Sequence, residues 1–311
     1  MKRISFVRAL AFIGAMSLVG LVLACATDRS SNSEKAATAS SNANAIVRDS
    51  TVSNDFRADL TTDQAEISSV RPTTLILNIK NARGEIVRDL QTVHEKQIHL
   101  ILVSDDLAEF NHLHPEPQPD GSYRVGFTFS HGGTYRLYAD FTPAGADQIV
   151  ERFSVTASGA PTPRVALVED KSLTKTVDGL RVTMQLSESL RAGQELQLNF
   201  IVADEATGKP VTDLQPYLGA LAHFVIITED TSKYLHVHPM EAGAMPGMGR
   251  EARTGKMNEE MKIGQADKAA ANVTISAHTT FPDTGLYKLW AQFQRNGQVI
   301  VVPFVVRVAK D

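Results

Sequence analysis

The chain has 311 residues, with 31 Lys and Arg against 35 Asp and Glu for a net charge of −4, so no basic excess supports a nucleic-acid partner. The one cysteine excludes an intramolecular disulfide, a C-x-x-C redox centre and a cysteine-rich metal site. The length accommodates two domains of ordinary size, each able to bury its own core.

In chain order, Met1-Lys2-Arg3 and Arg8 precede an apolar run from Ala9 to Ala24, the charged start and short hydrophobic stretch of a secretory signal. It ends at Val22-Leu23-Ala24-Cys25, which resembles a bacterial lipobox. On that reading residues 1–24 are removed and Cys25 is acylated, anchoring the chain to a membrane through an N-terminal lipid. In proteins that carry this signal, a residue such as Ala26 rather than Asp after the cysteine goes with the outer membrane, so the resemblance implies that location. Loss of Lys2, Arg3 and Arg8 then takes the 31 basic residues to 28 against 35 acidic ones and makes the mature chain more acidic. Residues 25–57 are rich in Ser, Ala, Asn, Thr and charge, too polar to bury a core, and read as a disordered tether.

From residue 58 onward short alternating or β-branched runs follow one another between turn residues, and no long amphipathic helix competes with them. A first module is expected over 58–157, with strands near 75–79, 98–103, 123–129, 135–141 and 149–155. A proline-containing linker covers 158–164. A second module over 165–311 has strands near 180–186, 196–202, 223–228, 234–238, 273–277, 287–293 and 299–308. The string Asp283-Thr284-Gly285-Leu286-Tyr287-Lys288-Leu289, matched by His131-Gly132-Gly133-Thr134-Tyr135-Arg136-Leu137, resembles the entry to strand F of immunoglobulin-like domains. Tyr135 and Tyr287 are therefore expected to be corner tyrosines bonded to backbone.

The modules are two copies of one unit. Val87-Arg88-Asp89-Leu90-Gln91, His99 and His112-Leu113-His114-Pro115 return as Val211-Thr212-Asp213-Leu214-Gln215, His223 and His236-Val237-His238-Pro239, with no gap. Residues two apart on a strand share a face, so His112 with His114, and His236 with His238, point away from the core face taken by Leu113 and Val237. The preceding strand's histidine lies at hairpin distance. Each module thus presents three imidazoles on an outer or edge surface, a donor set that suits copper and other divalent transition metals. The alternative is that His99, His112, His114, His223, His236 and His238 are scaffolding bonded to backbone carbonyls. His94 and His131 occur only in the first copy, opposite Leu218 and Asp283, and are secondary candidates.

The second copy carries an insertion after His238-Pro239, over residues 240–270, that holds Met240, Met245, Met248, Met257 and Met261 among Gly, Lys, Glu and Ala. Thioethers in a polar segment are soft ligands that favour Cu(I), so Met245 and Met248 join the secondary candidates. His94-Glu95-Lys96-Gln97-Ile98-His99 misses the H-E-x-x-H spacing of zinc proteases by one residue and lies at the approach to a strand. The chain has no G-x-S-x-G, phosphate loop or calcium loop, and nothing nominates a catalytic nucleophile.

Residues 94–115, 216–239 and 278–293 together resemble bacterial secreted proteins with YtkA-like, immunoglobulin- or cupredoxin-like domains. The resemblance implies an all-β chain of two tandem antiparallel β-sandwiches, and places it among copper and heavy-metal contexts of the cell envelope. The expectation is a non-enzymatic, lipid-anchored protein that binds copper, as Cu(I) or Cu(II), or another divalent transition metal for tolerance, storage or delivery, with a metal-handling envelope protein as partner. The alternative is a non-metal structural or interaction module.

Overall fold

The computed structural model describes residues 46–48, 55–239 and 274–310. The signal, Cys25, most of the tether and the methionine-rich insertion lie outside the described residues. Every regular element among the described residues is a strand, and all strand pairs within the sheets are antiparallel.

The first module contains β1 (Val47–Arg48), β2 (Phe56–Thr62), β3 (Pro72–Asn81), β4 (Ile98–Ser104), β5 (Phe110–Leu113), β6 (Glu116–Pro117), β7 (Tyr123–Thr128), β8 (Gly133–Phe141) and β9 (Ile149–Ala157). They form two sheets, β2-β3-β7-β6 and β1-β9-β8-β4-β5. The second module contains β10 (Thr174–Val177), β11 (Leu180–Leu186), β12 (Glu195–Asp204), β13 (His223–Thr228), β14 (Tyr234–Val237), β15 (Thr274–Thr280), β16 (Gly285–Arg295) and β17 (Gln298–Val308). Its sheets are β10-β11-β12-β15 and β14-β13-β16-β17, so the shared strands follow the same order in both modules. The protein is a tandem pair of immunoglobulin-like β-sandwiches.

Each sandwich closes on the alternation seen in the sequence. Leu75, Leu77 and Ile79 of β3 face Leu100 and Leu102 of β4, and Leu196, Leu198, Phe200 and Val202 of β12 face Phe224 and Ile226 of β13. The corner tyrosines are as expected. Tyr135 donates its hydroxyl hydrogen to His131 O at 3.1 Å and Tyr287 donates to Asp283 O at 2.8 Å.

Within the stretch read as a tether, Val47–Arg48 instead pair with the open edge of β9, opposite Ser154 and Phe153. An edge strand offers unpaired backbone groups, and Arg48 also brings a guanidinium to 3.6 Å from the fully buried Glu151 carboxylate. Beside Val47, Ile46 packs against the first core, so apolar contact and the ion pair both hold the segment there.

β4 and β13 do not alternate: all of Ile98–Ser104 and all of His223–Thr228 are buried. The second face of each strand is covered by the other sandwich. Ile101, Val103, Leu107 and Tyr138 pack against Val225, Ile227 and Trp290 in a separate apolar seam, with Leu167 of the connecting segment beside it. The seam contacts are reciprocal. Tyr138 stacks on Tyr234 at 4.9 Å while its counterpart Trp290 stacks on Phe110, the counterpart of Tyr234, at 4.8 Å. Tyr138 donates to Thr231 O at 2.7 Å, and Lys288 Nζ donates to the corresponding carbonyl, Leu107 O, at 2.6 Å. Thr231 and Leu107 both adopt φ 60. Patch i meeting patch j while j meets i is the pattern of an isologous two-fold interface, here built within one chain.

Candidate metal centre

The apolar strip of the seam ends in histidine. His99 shares its strand face with Ile101 and Val103, and His223 shares its face with Val225 and Ile227. On the neighbouring strands, β5 places His112 beside Ile101 and β14 places His236 beside Val225. His114 and His238 follow just beyond the strand ends, before Pro115 and Pro239, which cannot continue the ladder. The imidazoles do point away from their own cores, as the alternation requires. The surface they occupy is not outer, however, because the opposite sandwich covers it, and the two triplets merge into one cluster. Ring centroids of His99 and His236 are 5.1 Å apart across the seam, and those of His112 and His223 are 6.2 Å apart.

A tight two-residue turn supports the first histidine of each module. Val93 and Lys96 exchange backbone hydrogen bonds around His94 (φ 49) and Glu95 (φ 65), and Tyr217 and Ala220 do the same around Leu218 (φ 50) and Gly219 (φ 72). Positive φ at both central positions is the mirror-image hairpin turn, costly for a side chain other than Gly or Asn. The turn aims a carbonyl at the ring: His99 Nε2 donates to Val93 O at 2.9 Å and His223 Nε2 donates to Tyr217 O at 2.8 Å. A carbonyl only accepts, so both rings carry their proton on Nε2 and turn the Nδ1 lone pair into the cluster.

The first histidine of each H-x-H pair is oriented by the other module. His236 Nδ1 lies 3.2 Å from Asp140 Oδ2 on β8, and His112 Nδ1 lies 2.8 Å from Gln292 Oε1 on β16. Asp140 and Gln292 occupy corresponding positions of strand F. Each of these rings is therefore protonated on Nδ1 and presents the Nε2 lone pair inward. Gln148 holds Asp140 in place, its Nε2 lying 2.7 and 2.8 Å from the two carboxylate oxygens. A ligating imidazole that donates its other N–H to a carboxylate or carbonyl is the standard support of a metal site.

Among the described residues the inward nitrogens have no partner that completes them. The buried atoms His114 Nε2, His223 Nδ1, His236 Nε2 and His238 Nε2 make no hydrogen bond to any described residue. His99 Nδ1 and His112 Nε2 meet at 3.0 Å, each a lone pair once its other nitrogen is committed outward. Two lone pairs at that distance repel unless a proton or a cation lies between them. Protonation is opposed by the surroundings. Burial, then the neighbouring imidazoles, holds His112 and His236 well below the usual histidine range. Burial also lowers His99, takes His223 down to about 4 and His114 to about 3, and depresses His238 further still. A cation fits the gap: metal–nitrogen bonds of about 2.0–2.1 Å meeting near a right angle span about 2.9 Å.

Among the described residues, two sets have ligand atoms within 4.8 Å of one another, His99–His112–His236 and His223–His236–His238. His94 belongs to the cluster too. It stacks on His238 at 3.6 Å and meets His223 edge-on at 5.3 Å, although its spacing to His99 fits no helical motif. His131 is not brought in. Its Nε2 lies 2.9 Å from Glu109 Oε1 and its Nδ1 2.9 Å from Gly132 O, against the ring of the corner Tyr135. Met245 and Met248 lie outside the described residues. Sequence reasoning missed Asp140 and Gln292. The available signal was a polar residue at the same register of strand F in both copies, on the face opposite the core.

The family described as "Domain of unknown function (DUF8832)" matches residues 51–159 and 175–310, one stretch on each sandwich. The chain belongs to this family. The DUF8832 stretches contain every histidine of the cluster, with the first copy supplying His94, His99, His112 and His114 and the second His223, His236 and His238. No curated protein matches the chain. Among solved structures it is similar to the Escherichia coli adhesin FdeC, with 17% identity, a TM-score of 0.25, and coverage of 84% of this chain and 66% of that one. It is also similar to Salmonella alpha-2-macroglobulin, with 11% identity, a TM-score of 0.27 and coverage of 82% and 15%. A putative membrane anchored protein from Corynebacterium diphtheriae matches with 12% identity, a TM-score of 0.22 and coverage of 82% and 57%. The chain thus spans less than two thirds of each of these proteins.

Proposed function

We propose that the two modules jointly bind a late transition-metal ion, copper foremost, in the seam between them, and that the protein serves metal tolerance, storage or delivery in the cell envelope. One observation carries this reading: His99, His112, His223 and His236 each commit one ring nitrogen to an oxygen behind them and turn the other, as a lone pair, into the histidine cluster. The inward atoms are all imidazole nitrogens, which suits copper, zinc, nickel or iron and disfavours magnesium or calcium. Carriage rather than turnover fits the space. The cavity beside the cluster, between Gln97, His99, Asp140, Gln148, His236 and His238, measures about 20 Å³, room for one ion or water and no organic substrate. The H-x-H-P resemblance to YtkA-like proteins supports the metal context, and the lipobox at Cys25 supports an N-terminal lipid anchor. Met245 and Met248 follow His238 by seven and ten residues and would extend the donor set toward Cu(I).

Because each module orients a histidine of the other, the test uses the whole mature chain, made soluble by Cys25→Ala. Titration with Cu(I), Cu(II) and Zn(II) is expected to show uptake of each, lost in His236→Gln/His238→Gln. Met245→Leu/Met248→Leu is expected to weaken Cu(I) alone. Removal of the His pair with no loss for any ion makes the histidines scaffolding and leaves an interaction module.

A further inference from the structure

The repeat by itself suggests one metal site per module and hence two ions per chain. The geometry points to a different occupancy: we infer that the seam holds one ion at a time, in either of two overlapping three-histidine positions, His99–His112–His236 or His223–His236–His238. This inference rests on the metal-binding reading and specifies how the site is filled.

Both positions contain His236. Its ring has two nitrogens, and Nδ1 is engaged with Asp140 Oδ2 at 3.2 Å, with both residues almost wholly buried. Only Nε2 remains, and one lone pair makes one metal bond. Bridging two ions through this ring requires removal of the Nδ1 proton and rupture of the Asp140 contact, leaving a buried carboxylate without that donor. Filling one position therefore empties the other.

The two positions are not copies of each other. The first draws His99 and His112 from module one and His236 from module two. The second is drawn wholly from module two, with His236 held by module one through Asp140. The repeat counterpart of the second position, His99–His112–His114, is a little wider: its His114 ring lies 5.3 Å from His99 and 4.6 Å from His112, against 4.9 Å and 4.4 Å for His238 with His223 and His236, and its ligand nitrogens do not form a close set. An ion passing between the positions exchanges His99 and His112 for His223 and His238 while His236 stays bound. One ligand held throughout lets the ion shift from ligands of one module to ligands of the other without release into water. That is a device for transfer.

The test is the stoichiometry of Zn(II) and Cu(II), ions for which thioethers compete poorly, on the soluble mature chain. One tightly bound ion per chain is expected. Two ions of comparable affinity overturn the single-occupancy inference while leaving metal binding intact, and no uptake at all overturns the function itself. Variants then separate one position from two. His112→Gln should retain one ion, with the Cu(II) electron paramagnetic resonance spectrum changed to that of the His223–His236–His238 set. His238→Gln should retain one ion in the other set. His236→Gln removes a ligand from both positions and should weaken binding by more than the roughly 100-fold that loss of a supporting hydrogen bond can cost. Should His112→Gln and His236→Gln be equally damaging in chains whose circular dichroism shows them folded, there is one position only and the transfer inference fails. Imidazole nitrogen NMR of the ion-free wild type gives a check that needs no variant. A protonated Nδ1 and bare Nε2 on both His112 and His236 are expected, and a proton on His112 Nε2 would mean that Gln292 presents its amide nitrogen and closes the first position without an ion.

Discussion

The two modules share three imidazoles each and differ in one of the groups that orient them. His99 and His223, His112 and His236, His114 and His238 match in place and type. Behind them the backbone carbonyls of Val93 and Tyr217 play the same part, whereas Asp140 stands opposite Gln292; within the cluster His94 has only Leu218 as its counterpart. A carboxylate accepting from an imidazole N–H raises the basicity of the far nitrogen more than a neutral amide does, so His236 is the stronger donor of the reciprocal pair. His236 is also the ligand common to both close sets. The difference teaches that a near-symmetric cluster acquires a preferred centre through its supporting residues while its ligands stay the same.

The largest effect expected from disturbing this arrangement is that of acid on the ion-free chain. In the unfolded chain the histidines titrate near 6.5, whereas folded His223 is held at about 4 and His114 at about 3, with His112 and His236 well below the usual range, burial being the main cause throughout. Between those values the unfolded state binds more protons. Stability is therefore complete above pH 6.5 and falls as the pH drops toward the folded values, by up to about 1.4 kcal/mol per pH unit for each fully displaced ring. Asp140 has the opposite sign. Burial raises its carboxyl, so its protonation on the folded chain offsets part of the loss. Thermal unfolding between pH 7.5 and 4.5 should show a steep fall that flattens in His112→Gln/His236→Gln. A wild-type midpoint unchanged from pH 7 to 5 is incompatible with buried neutral rings.

The internal seam was written in the sequence in a form that strand alternation does not capture. Leu75 to Ile79 alternates in burial, with Ile76 and Asn78 half-buried on the second face of β3. Ile98-His99-Leu100-Ile101-Leu102-Val103 and His223-Phe224-Val225-Ile226-Ile227 run apolar on both faces, the mark of a strand covered twice. Even so, that pattern names no partner, because the second cover comes from residues far along the chain. The corner tyrosines were legible because their motif is local: Tyr287 lies four positions after its acceptor Asp283. The contacts of His236 with Asp140 and of His112 with Gln292 span the two modules, and only the packed fold brings them together.

The seam comes second in size. Trp290→Ala removes the stack on Phe110 and leaves a cavity between Val225, Ile227 and Ile101, so a loss of about 3–5 kcal/mol is expected. Tyr138→Ala should cost a similar amount through the reciprocal stack on Tyr234. Urea unfolding of both variants checks this. If the modules are docked as one cooperative unit, the midpoint of the single transition moves. A new early transition with the main midpoint unmoved shows instead that the modules hold themselves and only the seam opens.

The smallest effect sharpens the comparison most. Asp140→Leu and Gln292→Leu each remove the acceptor behind one inward-facing ring without touching a ligand nitrogen. Losing such a support typically costs about 10–100-fold in metal affinity. The shared role of His236 sets the order. Asp140→Leu loosens a ligand of both positions and should fall toward the upper end, while Gln292→Leu loosens His112, a ligand of the first position alone, and should fall toward the lower end. Asp140→Asn keeps an oxygen that can accept from His236 Nδ1, so it should recover most of the affinity. Competition titration with Zn(II) measures all three, and their thermal midpoints without metal separate support of the ion from support of the fold. If Gln292→Leu weakens binding as much as Asp140→Leu, the seam is functionally symmetric and neither module owns the preferred centre.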